Sequence, residues 1–225
     1  MRKNKKCCKI QIDAKTLLRM ENQARTRDAP VFRVEKVTHG DPFRTLVFVI
    51  LSARTRDEQT LKVTERLFSF ADTPTEIFRF STKPKRLEKL LRGIGFYNVK
   101  ARNLLETCRM IIAKNGKVPE TLDGLLELPG VGRKTANIVL ASAFGKDTIG
   151  VDTHMHQISN RLGLVRTKGL VETEKRLMKR VPKRFWGKLN LVFVAFGKMI
   201  CTARNPKCRE CVINKACPKV GVSIK

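Results

Sequence analysis

Acidic residues are scarce in this 225-residue chain: 20 Asp and Glu stand against 47 Lys and Arg, a formal net charge of +27. So one-sided a balance makes an acidic polymer the expected partner. Long apolar runs are missing too. The longest, Leu46 to Leu51 and Leu191 to Phe196, fall far short of the roughly 18 to 20 residues a membrane-spanning helix needs, which excludes a transmembrane anchor. The N-terminus starts basic, Met1-Arg2-Lys3, but Lys9, Gln11, Asp13 and Lys15 break any apolar stretch behind it. A secretory leader is therefore not expected, and an intracellular location is. Stretches that alternate apolar and polar residues are hard to find, which argues against sheet. Cysteine is odd in number, seven, with Cys7, Cys8 and Cys108 scattered and Cys201, Cys208, Cys211 and Cys217 crowded together, so a disulfide framework is not expected either.

What is present reads as a folded all-α protein. Hydrophobic residues make up 42% of the chain, too many for a disordered basic tail, and the length suits one large domain or two small ones. Asp41-Pro42 opens a helix through Leu46, Val49 and Ile50, and Asp57 offers an N-cap for a second, whose inner face carries Leu61, Thr64, Leu67 and Phe68. Pro74 and Pro84 sit at first-turn positions of helices expected at 75–80 and 85–91. A longer helix spans 98–113 and stops at Asn115-Gly116. Thr121 caps a short one at 123–127, and helices follow at 133–144, 153–162, 171–181 and 184–200.

Three constellations carry chemistry. The first is Leu128-Pro129-Gly130-Val131-Gly132-Arg133-Lys134, a helix-hairpin-helix turn. Its glycines permit positive φ and close backbone approach, and free N–H groups at the next helix start favour a phosphate oxygen. An ordinary glycine-rich turn has the same bare pattern; the flanking Leu-Pro and Arg-Lys and the overall charge favour a grip on nucleic-acid backbone.

The second constellation is Lys134 with Asp152, 18 residues later at a helix start. A lysine one turn inside such a helix lies close to DNA yet set back from solvent. An ordinary lysine, with a pKa of about 10.4, is nearly all protonated at neutral pH, so a nucleophilic one needs desolvation or neighbouring cations such as Arg133. An aspartate works in the opposite direction, so Asp152 would take a proton or stabilise positive charge on a sugar. Its bland role is to cap the helix that follows.

The third is Cys201, Cys208, Cys211 and Cys217, separated by six, two and five residues. Four thiolates so close can surround one metal centre, zinc or a four-iron cluster; only one short knuckle is present where zinc sites usually pair two, which favours the cluster. Arg204, Lys207, Arg209 and Lys215 make the intervening loop basic, so the metal is expected to shape a DNA-contacting surface. His154 and His156 are expected to pack or hydrogen-bond within their helix.

Together with Leu51-Ser52-Ala53, Ile94-Gly95-Phe96-Tyr97-Asn98-Val99-Lys100-Ala101 and Val151-Asp152-Thr153-His154, these motifs resemble the endonuclease III family of helix-hairpin-helix DNA glycosylases over residues 40 to 220. The resemblance implies a two-domain fold with the DNA site between the domains: a six-helix barrel at 36–146, and an iron-sulfur cluster domain built from 1–35 and 147–225. It implies a monomeric DNA glycosylase/AP lyase of base excision repair. Its partner is double-stranded DNA with damaged bases or abasic sites, and its work the removal of oxidised pyrimidines. Lys134 falls on the family's Schiff-base lysine, Asp152 on its essential aspartate, and Cys201, Cys208, Cys211 and Cys217 on its [4Fe-4S] ligands. Leu128, Gly130, Val131, Gly132 and Arg133 fall on the DNA-gripping hairpin. Phe96 stands where the family wedges an apolar side chain into the base stack; a core phenylalanine after a turn is its bland alternative. Two positions depart from the family pattern: Arg54 replaces a glutamine that fills the gap left by the flipped base, and Gln157 replaces an arginine. Both bear on opposite-base preference, and Arg54 donors match a guanine edge. The rival readings are a monofunctional mismatch glycosylase, which generally lacks the lysine, and a non-catalytic, cluster-bearing DNA-binding protein.

Overall fold

The computed structural model describes residues 10–223, and every regular element among them is helical. Cys7, Cys8 and the basic N-terminal residues lie outside the described residues. The chain divides into two units, one of residues 33–148 and one made from the segment ending at Phe32 together with the segment from Ile149 onward.

The first unit is built around α3 (Pro42–Ser52), whose start is set by Asp41: its Oδ1 accepts from the Arg44 N–H at 2.7 Å, with Pro42 in the first turn. Phe43, Leu46, Val47, Phe48, Val49, Ile50 and Leu51 are all buried, the mark of a helix enclosed on every side. Around it lie α2 (Val34–Thr38), α4 (Asp57–Phe68), α5 (Pro74–Phe78), α6 (Pro84–Leu90), α7 (Tyr97–Ala113), α8 (Leu122–Leu126) and α9 (Arg133–Phe144). α9 packs on α3, and α5 and α6 on α7. Asp57 is not the cap of α4 but its first residue, after an extended Arg56 without a side-chain cap. There Asp57 acts on the helix dipole. α5 is shorter than expected and tightens into a 3-10 turn at Arg79–Thr82. Asn115 and Gly116 both take positive φ past the end of α7, and the Gly116 N–H closes on the Ile111 carbonyl at 2.9 Å.

The second unit pairs α12 (Trp186–Met199) with α10 (Thr153–Arg161) and with α1 (Ala14–Arg25), a helix the apolar periodicity did not announce. α11 (Leu170–Arg180) leads to a 3-10 turn at Lys183–Phe185, so the long helix expected from Arg184 starts as a tighter coil and turns α-helical only at Trp186. Leu17, Met20, Met155, Ile158, Leu189, Phe193, Phe196 and Ile213 share one core.

Candidate functional site

Within the first unit, the hairpin between α8 and α9 is held from below. Leu128 and Val131, 2% and 7% exposed, sink into the core, so the side chains of these two candidate DNA-binding residues support the turn from within. α7 backs the turn: the Thr107 hydroxyl donates to the Pro129 carbonyl at 3.3 Å. Gly130 has φ 80°, and a Cβ there would lie 2.9 Å from Asn103 Nδ2, so glycine is needed twice over. Gly132 differs from the expectation: its φ is −97° and a Cβ would meet nothing within 4 Å. As the extended N-cap of α9 it supplies no side-chain cap and leaves the space before the helix open to a bulky anion. Arg133 and Lys134 follow as the first two residues of α9, and both are exposed. Lys134 was expected to be set back from solvent; α9 turns Ala136, Val139 and Leu140 toward the core and leaves its first turn outside.

Arg54 and Phe96 come together in the same unit. Arg54 has φ 53° in the turn after α3, and Phe96 has φ 56° immediately before α7, both in the left-handed region that bulky residues rarely occupy. The Arg54 guanidinium carbon lies 6.0 Å from the centre of the Phe96 ring. Phe96 is 59% exposed, which rules out the core alternative. Lys100, within the motif at 94–101, links the two turns. Lys100, 6% exposed, donates from Nζ to the Leu51 carbonyl and to the Thr55 hydroxyl, both at 2.8 Å. Desolvation brings its pKa down to about 8. A lysine on a helix reads as surface, and only the three-dimensional return of α3 shows otherwise.

Asp152 belongs to the second unit, where it is 8% exposed and caps α10: Oδ1 accepts from the Met155 N–H at 2.8 Å. The cap fixes the rotamer of the carboxylate. His154 and His156 pack and bond within the fold. His154 sits against Gly197 of α12, where a Cβ would lie 2.9 Å from its side chain, and His156 Nδ1 lies 2.7 Å from Thr173 Oγ1. Gln157 Nε2 donates to the Cys201 carbonyl at 2.8 Å, which gives this departure from the family pattern a local structural task.

The four clustered cysteines follow α12. All are half-buried; burial raises the thiol pKa of Cys201 and Cys217 and lifts Cys211 to about 11, and each of these three also feels the charge of other cysteines in the set. Cys108, by contrast, is alone in the first core and pushed up to about 12, an inert thiol. Arg161 threads the loop: Nη1 reaches Cys201 Sγ at 3.4 Å and the Thr202 carbonyl at 2.8 Å, and Nη2 reaches the Ala203 carbonyl at 2.8 Å. The far side is clasped by α1. Gln23 donates to the Glu210 carbonyl at 2.6 Å and accepts from the Val212 N–H at 3.1 Å, while Arg19 bonds the Val212 carbonyl and Arg27 pairs with Glu210. Among the described residues, no three His, Cys, Asp or Glu side chains form a group that could hold a metal ion, and no helix is long and apolar enough to cross a membrane.

Residues 47–183 match the model of the HhH-GPD superfamily base excision DNA repair proteins. Endonuclease III of Thermotoga maritima is 47% identical over 178 residues, 79% of this chain and 83% of that protein. The Haemophilus influenzae endonuclease III is 40% identical, over 88% of this chain and 94% of that one. Among solved structures, a trapped endonuclease III-DNA covalent intermediate in an estranged-adenine complex superposes with a TM-score of 0.74 at 38% identity, covering 87% of this chain and 96% of that one. The chain therefore belongs to the HhH-GPD superfamily and, within it, to the endonuclease III family of base excision repair DNA glycosylase/lyases.

Proposed function

We propose that this protein binds double-stranded DNA as a monomer, extrudes an oxidised pyrimidine and removes it with Lys134 as nucleophile. The observation that carries this reading is the placement of Lys134 as the second residue of α9, behind a glycine hairpin whose helix start has no side-chain cap. The hairpin amides of Gly130 and Gly132 and the Arg133 side chain hold the DNA backbone, which positions the strand without reading its sequence. A damaged base pairs and stacks poorly, so it is the least costly to extrude. Lys134 is exposed in the protein, and bound DNA would close over it and bring its amine against the sugar.

The Lys134 amine attacks sugar C1′, and the C1′–N bond breaks with its electron pair leaving on the base, which takes up a proton. The attached amine loses a proton, and its lone pair then opens the C1′–O4′ bond, O4′ taking up a proton, which leaves a protonated imine at C1′. Removal of a C2′ proton then expels the 3′ phosphate by β-elimination, which nicks the strand, and water releases the lysine. Asp152, its rotamer fixed by the cap on α10, stabilises the positive charge that develops on the sugar and takes a proton. A structural relative caught as a covalent intermediate with DNA supports a covalent route. Phe96 wedges into the stack and Arg54 fills the place of the extruded base, favouring an orphan guanine.

The donor set of the cysteine loop fits an iron-sulfur cluster: four free thiols within one short segment, all half-shielded from water. Cys201, Cys208, Cys211 and Cys217 would hold a [4Fe-4S] cluster as its thiolate ligands. When bound, it would close the loop on which Arg204, Lys207, Arg209 and Lys215 face DNA. The two structural units act as the two domains of the enzyme, which works on DNA inside the cell.

Borohydride reduction tests the central step, because it turns an imine into a permanent bond. Incubation with duplex DNA carrying one abasic site should give a covalent protein-DNA band that is absent with Lys134→Ala. A wild-type reaction without the band, or a band that survives Lys134→Ala, overturns the assignment.

A further inference from the structure

The buried amine of Lys100 takes no part in the chemistry above, yet a charge is costly to bury without hydrogen-bond partners, and lysine is among the residues least often found inside. Its two side-chain partners lie 45 and 49 positions earlier, at Thr55 and Leu51, on either side of the turn that carries Arg54. Its own backbone N–H donates to the Phe96 carbonyl at 2.9 Å, so one residue grips both turns. Arg54 and Phe96 each hold a left-handed backbone without being glycine, a state that persists only when its surroundings over-determine it. Neither side chain is buried, so core packing of their own rings and stems does not supply that constraint.

We propose that Lys100 is a positioning residue: by tying the Leu51 and Thr55 turn to the start of α7, it presets Arg54 and Phe96 as one rigid pair that meets the DNA stack. The inference rests on the reading of Arg54 and Phe96 as the stack-filling pair. Without the tie, both turns relax toward ordinary backbone, and the pair must be ordered each time a base is extruded, a cost that falls on extrusion and not on the later elimination. Discrimination between orphan bases suffers with it, because Arg54 no longer approaches from a fixed direction.

The test compares single-turnover rates on two duplexes, one with thymine glycol opposite guanine or adenine and one with a preformed abasic site, which leaves no base to extrude. Lys100→Met keeps the volume and removes the charge and its bonds. It should slow thymine glycol release about tenfold, the rate equivalent of one lost charge-assisted hydrogen bond, and leave abasic-site cleavage nearly unchanged. Thr55→Val removes one acceptor and should shift the same ratio in the same direction by less, which covers the case in which Lys100→Met does not fold. Combined with Phe96→Ala, Lys100→Met should add almost nothing, since both break the same unit. A loss of folded protein would lower both reactions together. If Phe96→Ala and Arg54→Ala slow thymine glycol release while Lys100→Met and Thr55→Val leave the ratio at the wild-type value, the tie is overturned. If Phe96→Ala and Arg54→Ala also have no effect, the reading of the pair itself falls.

Discussion

The hairpin at residues 128–134 and the cysteine loop at residues 201–217 are both short and basic, and they are held by opposite means. Leu128 and Val131 anchor the hairpin in the core, a positive-φ glycine bends it, and its next neighbour α7 braces it through Thr107. The cysteine loop has one deep apolar anchor, Ile213, and is otherwise tied by polar side chains from elsewhere: Arg161 and Gln157 of α10, Arg19 and Gln23 of α1, and Arg27 just past the end of α1. Apolar burial and backbone geometry are intrinsic to the hairpin segment, whereas the loop inherits its order from helices that also have other partners. A loop of the second kind opens locally with little cost to the rest of the fold.

The largest break in that contrast should come from Arg161. Arg161→Ala orphans the Thr202 and Ala203 carbonyls and removes the cation beside Cys201, and the loss of charge-assisted bonds costs roughly 2 to 3 kcal/mol locally. Hydrogen exchange should quicken at 201–207 and stay unchanged in the hairpin. Equal acceleration in both regions would mean that the loop is not an independently held segment.

Next in size is a pair of substitutions in the hairpin. Gly130→Ala forces an alanine into φ 80° and its Cβ toward Asn103, and should cost about 1 to 3 kcal/mol in denaturant unfolding. Gly132→Ala sits at φ −97° with open space around its Cβ, so its stability cost should be only that of a poorer N-cap, about 0.5 to 1 kcal/mol. Its effect should appear instead as weaker DNA binding with a shallower salt dependence. Equal stability losses at the two glycines would erase the distinction between a glycine the turn needs and one the ligand needs.

The same division decides what could be read before any coordinates. Helices that announce themselves by local means were legible: Asp41-Pro42 before α3, Thr121 before α8, and Pro74 and Pro84 in their first turns all sit where their caps and prolines say. The hairpin was legible for the same reason. α1 was not, because its buried face is only Leu17, Met20, Glu21 and Ala24, interrupted by charge, and its partners lie beyond residue 185. Of the candidate site, residue types at fixed spacing could be picked out: Lys134, Asp152 and the cysteines. The exposure of Phe96, the left-handed turns and the buried amine of Lys100 could not, since each is a consequence of α3 returning beside α7. Gln157 adds a local task that the family pattern does not announce, a bond to the Cys201 carbonyl.

The smallest expected effect is a pH dependence confined to the clasped loop. α1 is fixed to α12 through Glu21, which is 7% exposed and pairs with Arg25 at 2.8 Å and Lys188 at 2.7 Å. Burial pushes the Glu21 carboxyl pKa up, but hydrogen bonds and charge from Lys188 and Arg25 together outweigh it and hold it below the usual carboxylate range. The folded protein therefore binds this proton less readily than the unfolded chain, so the pairing contributes its full stability above the ordinary carboxylate pKa of about 4.3 and loses it as the pH falls through the lower folded value. The contribution should be about 1 kcal/mol, because both cationic partners reach solvent. Loosening α1 releases the Gln23 clasp, so protection of the Val212 amide, corrected for intrinsic exchange, should fall with acid in the wild type. In Glu21→Gln it should start lower at neutral pH and carry no such slope. The hairpin serves as the internal reference, since Thr107 and Asn103 do not titrate. A wild-type Val212 protection as flat as the hairpin's would show that α1 grips the loop by its apolar face alone.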